Sequence, residues 1–286
     1  MFKTRVITAL VLLPVFLFLL FGLSAQAFSL FFGVLMLIGG WEYSRLCGLV
    51  SAPRRLLYLS ILVILLVYLA SHNGNNPLTG LANGISLNPD LNYFFMGFWL
   101  LALVRLLGWQ PPVKDSSPSL ANISINTTLS IFLLAGAWYA ISRLRFLEMG
   151  EWWVLSLFLI VWAADVGAYL CGKQFGNSRL VPLISPGKTR AGVYGGVILS
   201  LLIGWLFIQL APVHVATMPV YLLGVLALSL ISVVGDLYVS MHKRSTGIKD
   251  SGHLFPGHGG ILDRLDSTIA TAPFYLALLA CLPQPP

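Results

Sequence analysis

The stretch WWVLSLFLIVWAADVGAYLC, Trp152 to Cys171, runs for twenty residues with one charged side chain, Asp165. Roughly 20 apolar residues in a helix span a hydrocarbon core of about 30 Å. The run is continuous and lacks the alternation of a lipid-facing barrel strand, so it reads as a transmembrane helix. Outward from it lie eight further runs of the same kind, at about 6–23, 28–46, 56–71, 92–108, 127–145, 191–211, 217–237 and 266–282. Composition points the same way: of 286 residues, 57% are hydrophobic and 9% charged, where soluble domains carry about 25% charged residues. The expected fold is an all-α polytopic membrane protein of about nine transmembrane helices.

Placing the charges on this map explains the net charge of +7. Lys3, Arg5, Arg45, Arg54, Arg55, Arg105, Lys114, Lys173, Arg179, Lys188, Arg190, Lys243, Arg244, Lys249 and Arg264 fall on one side, and only Arg143 and Arg145 on the other. The positive-inside rule then sets the N-terminus in the cytoplasm and the C-terminus outside. Basicity is topology here, and no nucleic-acid partner is expected. Lys3, Arg5 and Ala25-Gln26-Ala27 imitate a signal peptide, but the apolar core between them exceeds the usual length of about 7 to 15 residues. Cys47, Cys171 and Cys281 lie far apart, without metal-ligand spacing, and read as small buried hydrophobes. Three regions are expected: residues 1–110 with spans one to four, 111–190 with spans five and six and an SPGKT loop, and 191–286 with spans seven to nine and the chemistry.

Chemistry concentrates in the second half. Asp165 inside a span costs several kcal/mol unless it faces a polar cavity or finds a partner, which marks a functional site or a structural ion pair. SPGKTRAG, Ser185 to Gly192, offers a Pro-Gly turn, Lys188, Arg190 and the start of a helix with unpaired N–H groups, an anion site of ordinary kind. It is not a Walker A loop, because Pro182 stands where that motif needs glycine. The segment GDLYVSMHKRSTGIKDSGHLFPGHGGILDRLD, Gly235 to Asp266, carries most. Asp236 closes span eight, while Asp263 and Asp266 open span nine and share a helix face. Three gathered carboxylates call for a cation, and hard oxygen ligands favour magnesium. Lys243, Arg244 and Lys249 suit phosphate oxygens, and Gly259-Gly260 would open backbone amides to an anion. The bland alternative, helix-terminal acids with positive-inside anchors, does not explain so many charges around one glycine-rich turn. Glu42, in GGWEYSRL, reads as a snorkelling interfacial acid in preference to a catalytic part, and His242 and His253 as solvated or interfacial.

This last segment resembles the signature of the phosphatidate cytidylyltransferases, also called CDP-diacylglycerol synthases. The matching residues are Ser240, Lys243-Arg244, Lys249-Asp250, His258-Gly259-Gly260, Asp263-Arg264 and Asp266, with His242 where the family has an aliphatic residue or Phe. WAADVGAY and SPGKTRAG look like the family's other cytoplasmic-side elements, with Val166 in place of a small polar residue. The likeness is specific from about Trp152 to Pro273. It implies a dimeric inner-membrane enzyme with its site at the cytoplasmic face. It further implies a divalent metal held by the acids matching Asp236 and Asp263, with a monovalent cation such as K+ nearby.

The implied reaction joins phosphatidate to CTP, giving CDP-diacylglycerol and pyrophosphate. On that reading Asp236, Asp263 and Asp266 take magnesium, and Lys243, Arg244 and Lys249 neutralise phosphate charge. Ser185, Lys188 and Thr189 hold nucleotide phosphates, and Asp165 holds a cation or orients a lysine. Ser240, Asp250, His258, Gly259, Gly260 and Arg264 complete the substrate site. Two other readings stay open: a divalent-cation transporter, because intramembrane acids occur in such proteins, and a cytidylyltransferase for another lipid phosphate. A transport path expects polar groups near the midplane of two halves, whereas these gather in the last 120 or so residues.

Overall fold

A computed structural model describes residues 2–72, 89–111, 119–252 and 259–282, with side chains from residue 12 onward within these ranges, residues 72, 89 and 90 excepted. His253 and His258 fall outside the described residues. The helices are α1 (Phe2–Gly22), α2 (Ala25–Leu46), α3 (Ala52–His72), α4 (Pro89–Leu107), α5 (Leu120–Phe146), α6 (Gly150–Phe175), α7 (Arg190–Leu210), α8 (Met218–Ser245) and α9 (Leu262–Cys281). Between α6 and α7 lies a hairpin of β1 (Arg179–Val181) and β2 (Ser185–Thr189). Each predicted apolar run is a helix, and the hairpin is the one β element among the described residues.

Local chemistry sets several boundaries. Ser24 and Ser119 cap α2 and α5, their hydroxyls accepting from the Ala27 and Asn122 amides at 3.2 Å each. The turn from α5 to α6 is so tight that a Cβ at Gly150 would strike the carbonyl oxygens of Leu144 and Arg145. The helices α6 and α7 then pack through glycine. A Cβ on Gly167 would meet the Gly195 backbone, and one on Gly196 would lie 2.7 Å from the Ala164 carbonyl oxygen. Such small-residue contacts bring backbones together where apolar lipid offers no hydrophobic drive for association.

Six helices, α2, α3, α5, α6, α7 and α8, are long and apolar enough to cross a membrane among the described residues. Helices α1 and α4 contribute the shorter apolar segments Leu12–Gly22 and Leu91–Leu107. Helix α9 does not reach the same apolarity, because its first half carries Asp263, Arg264, Asp266, Ser267, Thr268 and Thr271. The reason this is tolerated lies in packing. Helix α9 touches α2, α4, α5, α6 and α8, and fourteen of its twenty residues are buried, so its neighbours are protein rather than lipid.

Hydrogen bonds tie this central helix to its ring. The Tyr275 hydroxyl donates to Ser156 Oγ at 2.9 Å, and Ser156 in turn meets the Tyr221 hydroxyl at 3.1 Å, joining α9, α6 and α8. Ser267 donates to the Ser232 carbonyl at 3.1 Å, and Asn92 of α4 to the Pro273 carbonyl at 2.8 Å. Interhelical bonds of this kind contribute about 0.6 to 2 kcal/mol each in a membrane. Gly235 lets α8 and α9 come close, since a Cβ there would lie 2.6 Å from Ala270 Cβ and from the Asp266 carbonyl oxygen. That approach fixes how the carboxylates of the two helices face each other.

Candidate active site

Helix α8 continues about two turns past its expected end, to Ser245. Lys243 and Arg244 ended the apolar pattern, but they are good helix formers and outside the bilayer core they prolong the helix. Asp236, Ser240 and Lys243 therefore follow one another at i, i+4 and i+7 along one face. Ser240 Oγ donates to Asp236 Oδ1 at 3.0 Å, and Lys188 Nζ lies 2.7 Å from Asp236 Oδ2. Lys243 Nζ donates to Asp263 Oδ1 at 2.9 Å. The other Asp263 oxygen accepts from the Ser251 and Gly260 amides at 2.9 and 3.0 Å.

Two more acids complete the cluster. Asp165 of α6 lies within electrostatic reach of Asp236, Lys188 and Arg264. Buried Asp266 lies within reach of Asp236, Asp165 and Lys243, and its Oδ1 accepts from the Ser267 amide at 2.7 Å. Lys243 thus links Asp263 to Asp236 and Asp266, and Asp165 with Lys188 joins them from the α6–α7 side, but among the described residues the expected three carboxylates do not close into one metal-holding group. Beside them is a cavity of about 200 Å³, lined by Asp165, Tyr169, Lys188, Ser229, Ser232 and Asp236 among others. It is smaller than the roughly 300 to 1,000 Å³ of a whole-ligand pocket, and its charged lining is two aspartates and one lysine.

Several sequence expectations need correction. The SPGKT segment is a strand, not a turn: β2 pairs antiparallel with β1, Arg179 opposite Thr189 and Val181 opposite Ser185, and residues 182–184 make the bend. This puts Lys188 on a braced strand pointing at Asp236. Thr189 is buried and caps α7, its hydroxyl accepting from the Gly192 amide at 3.1 Å, so that oxygen is engaged in structure. Arg244 is exposed and donates Nε to the Ile184 carbonyl at 3.0 Å, pinning the hairpin to α8. Gly259 has φ +81, the left-handed conformation that glycine tolerates. The Gly260 amide, expected to open toward phosphate, is already given to Asp263. Lys249 and Asp250 are exposed, and Ser185 is half-buried at the start of β2.

Two other residues differ from expectation. His242 is buried, its Nδ1 2.9 Å from the Tyr238 carbonyl and its ring edge-on to Tyr43 and Tyr238, not solvated. Glu42 does not snorkel: it is buried and accepts from Ser251 Oγ at 2.8 Å, the Ile261 amide at 3.2 Å and the Leu262 amide at 2.9 Å. Its only signal in the sequence was an isolated acid in an apolar run. The cysteine reading stands for Cys47, which lies just past α2 and whose thiol burial pushes up to about 12, but Cys171 is half-buried and Cys281 exposed at the end of α9, not buried as expected.

Helical architecture and an acid–lysine cluster between α6, α8 and α9 define a polytopic membrane protein with a polar site among its helices. The model of the "Cytidylyltransferase family" matches residues 3–282. The chain is 36% identical over 279 residues to the phosphatidate cytidylyltransferase of Pseudomonas aeruginosa, covering 98% of this chain and 97% of that protein. It is 34% identical over 289 residues to the phosphatidate cytidylyltransferase of Haemophilus influenzae, covering 96% and 97%. A Staphylococcus aureus phosphatidate cytidylyltransferase is 43% identical over 151 residues, 51% of this chain and 57% of that protein. The chain belongs to the cytidylyltransferase family.

Proposed function

We infer that this protein transfers the cytidylyl group of CTP to phosphatidate, giving CDP-diacylglycerol and pyrophosphate for phospholipid synthesis. The observation that carries the inference is the cluster of Asp165, Lys188, Asp236, Lys243, Asp263 and Asp266 among membrane helices, in a chain alike from end to end to phosphatidate cytidylyltransferases. A soluble triphosphate and a lipid phosphate meet only where a polar site opens to both phases. We place that opening at the cytoplasmic face of the inner membrane, with nine crossings, a cytoplasmic N-terminus, an outside C-terminus and a homodimeric assembly.

The second pKa of a phosphate monoester is about 6, so phosphatidate is a dianionic nucleophile at neutral pH and needs no general base. Its phosphate oxygen bonds to the α-phosphorus of CTP, the bond from that phosphorus to the α–β bridging oxygen breaks, and pyrophosphate leaves with the electron pair. The work left to the protein is to hold two anions together in line. Lys188 and Lys243, each resting on a carboxylate, neutralise phosphate charge inside the cluster. Arg244, Lys249 and Arg264 are exposed and would meet the nucleotide, and Ser185, Asp250, His258 and Gly259 are assigned to the same substrate. Ser240 orients Asp236, and Thr189 fixes the strand that carries Lys188.

The donor set fits a divalent cation. Asp236 and Asp263 each hold an ammonium group, so the surroundings already favour a positive guest. No three acid, His or Cys groups form a ready-made cage among the described residues; magnesium is commonly bound through one or two carboxylates together with substrate phosphates. One or two of Asp236, Asp263 and Asp266 would hold it together with substrate phosphates, and Asp165 a monovalent cation such as K+. When bound, magnesium supplies positive charge against the triphosphate oxygens.

Purified protein in lipid with CTP, phosphatidate and magnesium is expected to release pyrophosphate. Asp263→Asn is expected to lower turnover by about 100-fold or more while leaving the protein folded by circular dichroism. Wild-type turnover by Asp263→Asn would overturn its assignment, and cation uptake by liposomes without CTP would favour transport.

A further inference from the structure

The glycine-rich segment after α8 leaves the described structure at residue 252 and returns at residue 259. Its two ends meet at a neck made by Ser251, Gly260 and Ile261, and two carboxylates from distant parts of the chain grip that neck. Asp263 takes the Ser251 and Gly260 amides. Glu42 takes Ser251 Oγ together with the Ile261 and Leu262 amides. Arg45, one turn beyond Glu42 on α2, donates Nη2 to the Ser251 carbonyl at 2.8 Å. Every polar group of Ser251 is thereby engaged, and the residue is 1% exposed.

The amides at 261 and 262 belong to the unpaired donors that a helix start leaves open, and the Gly260 amide comes just before them. Helix α9 makes no side-chain cap of its own, since Ile261 stands at the cap position. Glu42 supplies the cap from another helix, with its negative charge at the positive end of the α9 dipole. Space confirms the fit: a Cβ on either Gly252 or Gly260 would strike the Glu42 carboxylate. Those two glycines make room for an acid rather than for a phosphate.

We propose that Glu42 is a positioning residue for cytidylyl transfer: with Arg45 it clamps the neck at Ser251 and the first turn of α9, and so fixes where Asp263 stands. Glu42 is too enclosed by these partners to touch substrate, and it acts through Asp263 and the loop. Replacing it by glutamine turns one acceptor oxygen into a donor facing amides and a hydroxyl that also donate. The inference rests on the reaction assigned above, and its structural half does not.

The test uses the full chain in lipid nanodiscs, with Glu42→Gln, Glu42→Asp and Ser251→Ala. Two readouts are taken: kcat and KM for CTP by pyrophosphate release, and amide hydrogen exchange along α9 and α6. Glu42→Gln is expected to lower kcat by about 30-fold, with KM for CTP changed less than about threefold, as loss of charged hydrogen bonds at a positioning group implies. Exchange at residues 260–262 is expected to rise at least about 10-fold while α6 stays protected. Glu42→Asp restores the charge and is expected to recover part of kcat. Ser251→Ala, which removes one grip and keeps the fold, is expected to lower kcat by about 3- to 10-fold with local exchange only. Wild-type kcat in Ser251→Ala together with unchanged exchange at 260–262 overturns the proposal even if Glu42→Gln fails to fold. Faster exchange in α6 and α9 alike in Glu42→Gln also overturns it, because that is a general loss of structure. A wild-type protein that releases no pyrophosphate from CTP and phosphatidate sinks the assigned reaction, while the exchange data still decide whether Glu42 clamps the neck.

Discussion

Replacing Lys188 with methionine removes the cation that separates Asp236 from its acidic neighbours. Lys188 Nζ and Asp236 Oδ2 are 2.7 Å apart, with side chains 24% and 30% exposed. At an effective dielectric of about 20 the Coulomb attraction is about 6 kcal/mol. Desolvation and partial exposure reduce the net value to about 2 kcal/mol. Losing the lysine also leaves Asp236 facing Asp165 and Asp266 with Lys243, already bonded to Asp263, as the cation still in reach. Lys188→Met should therefore lose about 2 kcal/mol of stability and about 100-fold or more in turnover. Adding Asp236→Asn removes the stranded charge, so the double variant should regain at least about half of the lost stability and none of the activity. Denaturant titration of the detergent-solubilised protein reads the first quantity, and pyrophosphate release the second. The reasoning fails if the double variant is no more stable than Lys188→Met, or if Lys188→Met keeps more than about a tenth of wild-type turnover.

Gly167→Val pushes α6 away from the Gly195 backbone; it should cost about 1 to 3 kcal/mol and lower turnover by moving Asp165 relative to Lys188, both measurable in the same two assays. Tyr275→Phe removes one hydroxyl from the Ser156–Tyr221 group; it should cost about 0.6 to 2 kcal/mol and leave KM for CTP unchanged in steady-state kinetics.

The apolar runs carried the helices, because membrane length and hydropathy act locally along the chain. The clustering of Asp236, Asp263, Asp266 and Lys243 was legible for a related reason: spacing along α8 and α9 puts them on facing surfaces. What escaped depends on partners remote in sequence. Glu42 is explained by groups some 209 to 220 residues away, and no local pattern marks such a meeting. Strand β2 was hidden because Pro186-Gly187 is a strong turn signal, while its pairing with β1 and the bond from Arg244 outweigh that preference. His242 looked solvated among Lys243 and Arg244, yet Tyr43 of α2 covers it. Helix α9 was read as an ordinary span although its polar first half survives only inside a ring of other helices.

That ring has a consequence for how the protein is made. Each Asp at the centre of a lone inserting helix adds about 2.5 to 3.5 kcal/mol to the cost of entering lipid, and α9 brings its acids at its entrance. Chains emerge from the ribosome N-terminus first, so α2, α4, α5, α6 and α8 are synthesised before α9. They form the slot that makes α9 tolerable, and α9 completes the slot by delivering Asp263 and Asp266 to Lys243, Asp236 and the waiting Glu42. Before α9 is made, α8 carries Asp236 and Lys243 without the Asp263 and Asp266 that α9 brings. The order of synthesis thereby leaves the charges of the site incomplete until α9 is in place.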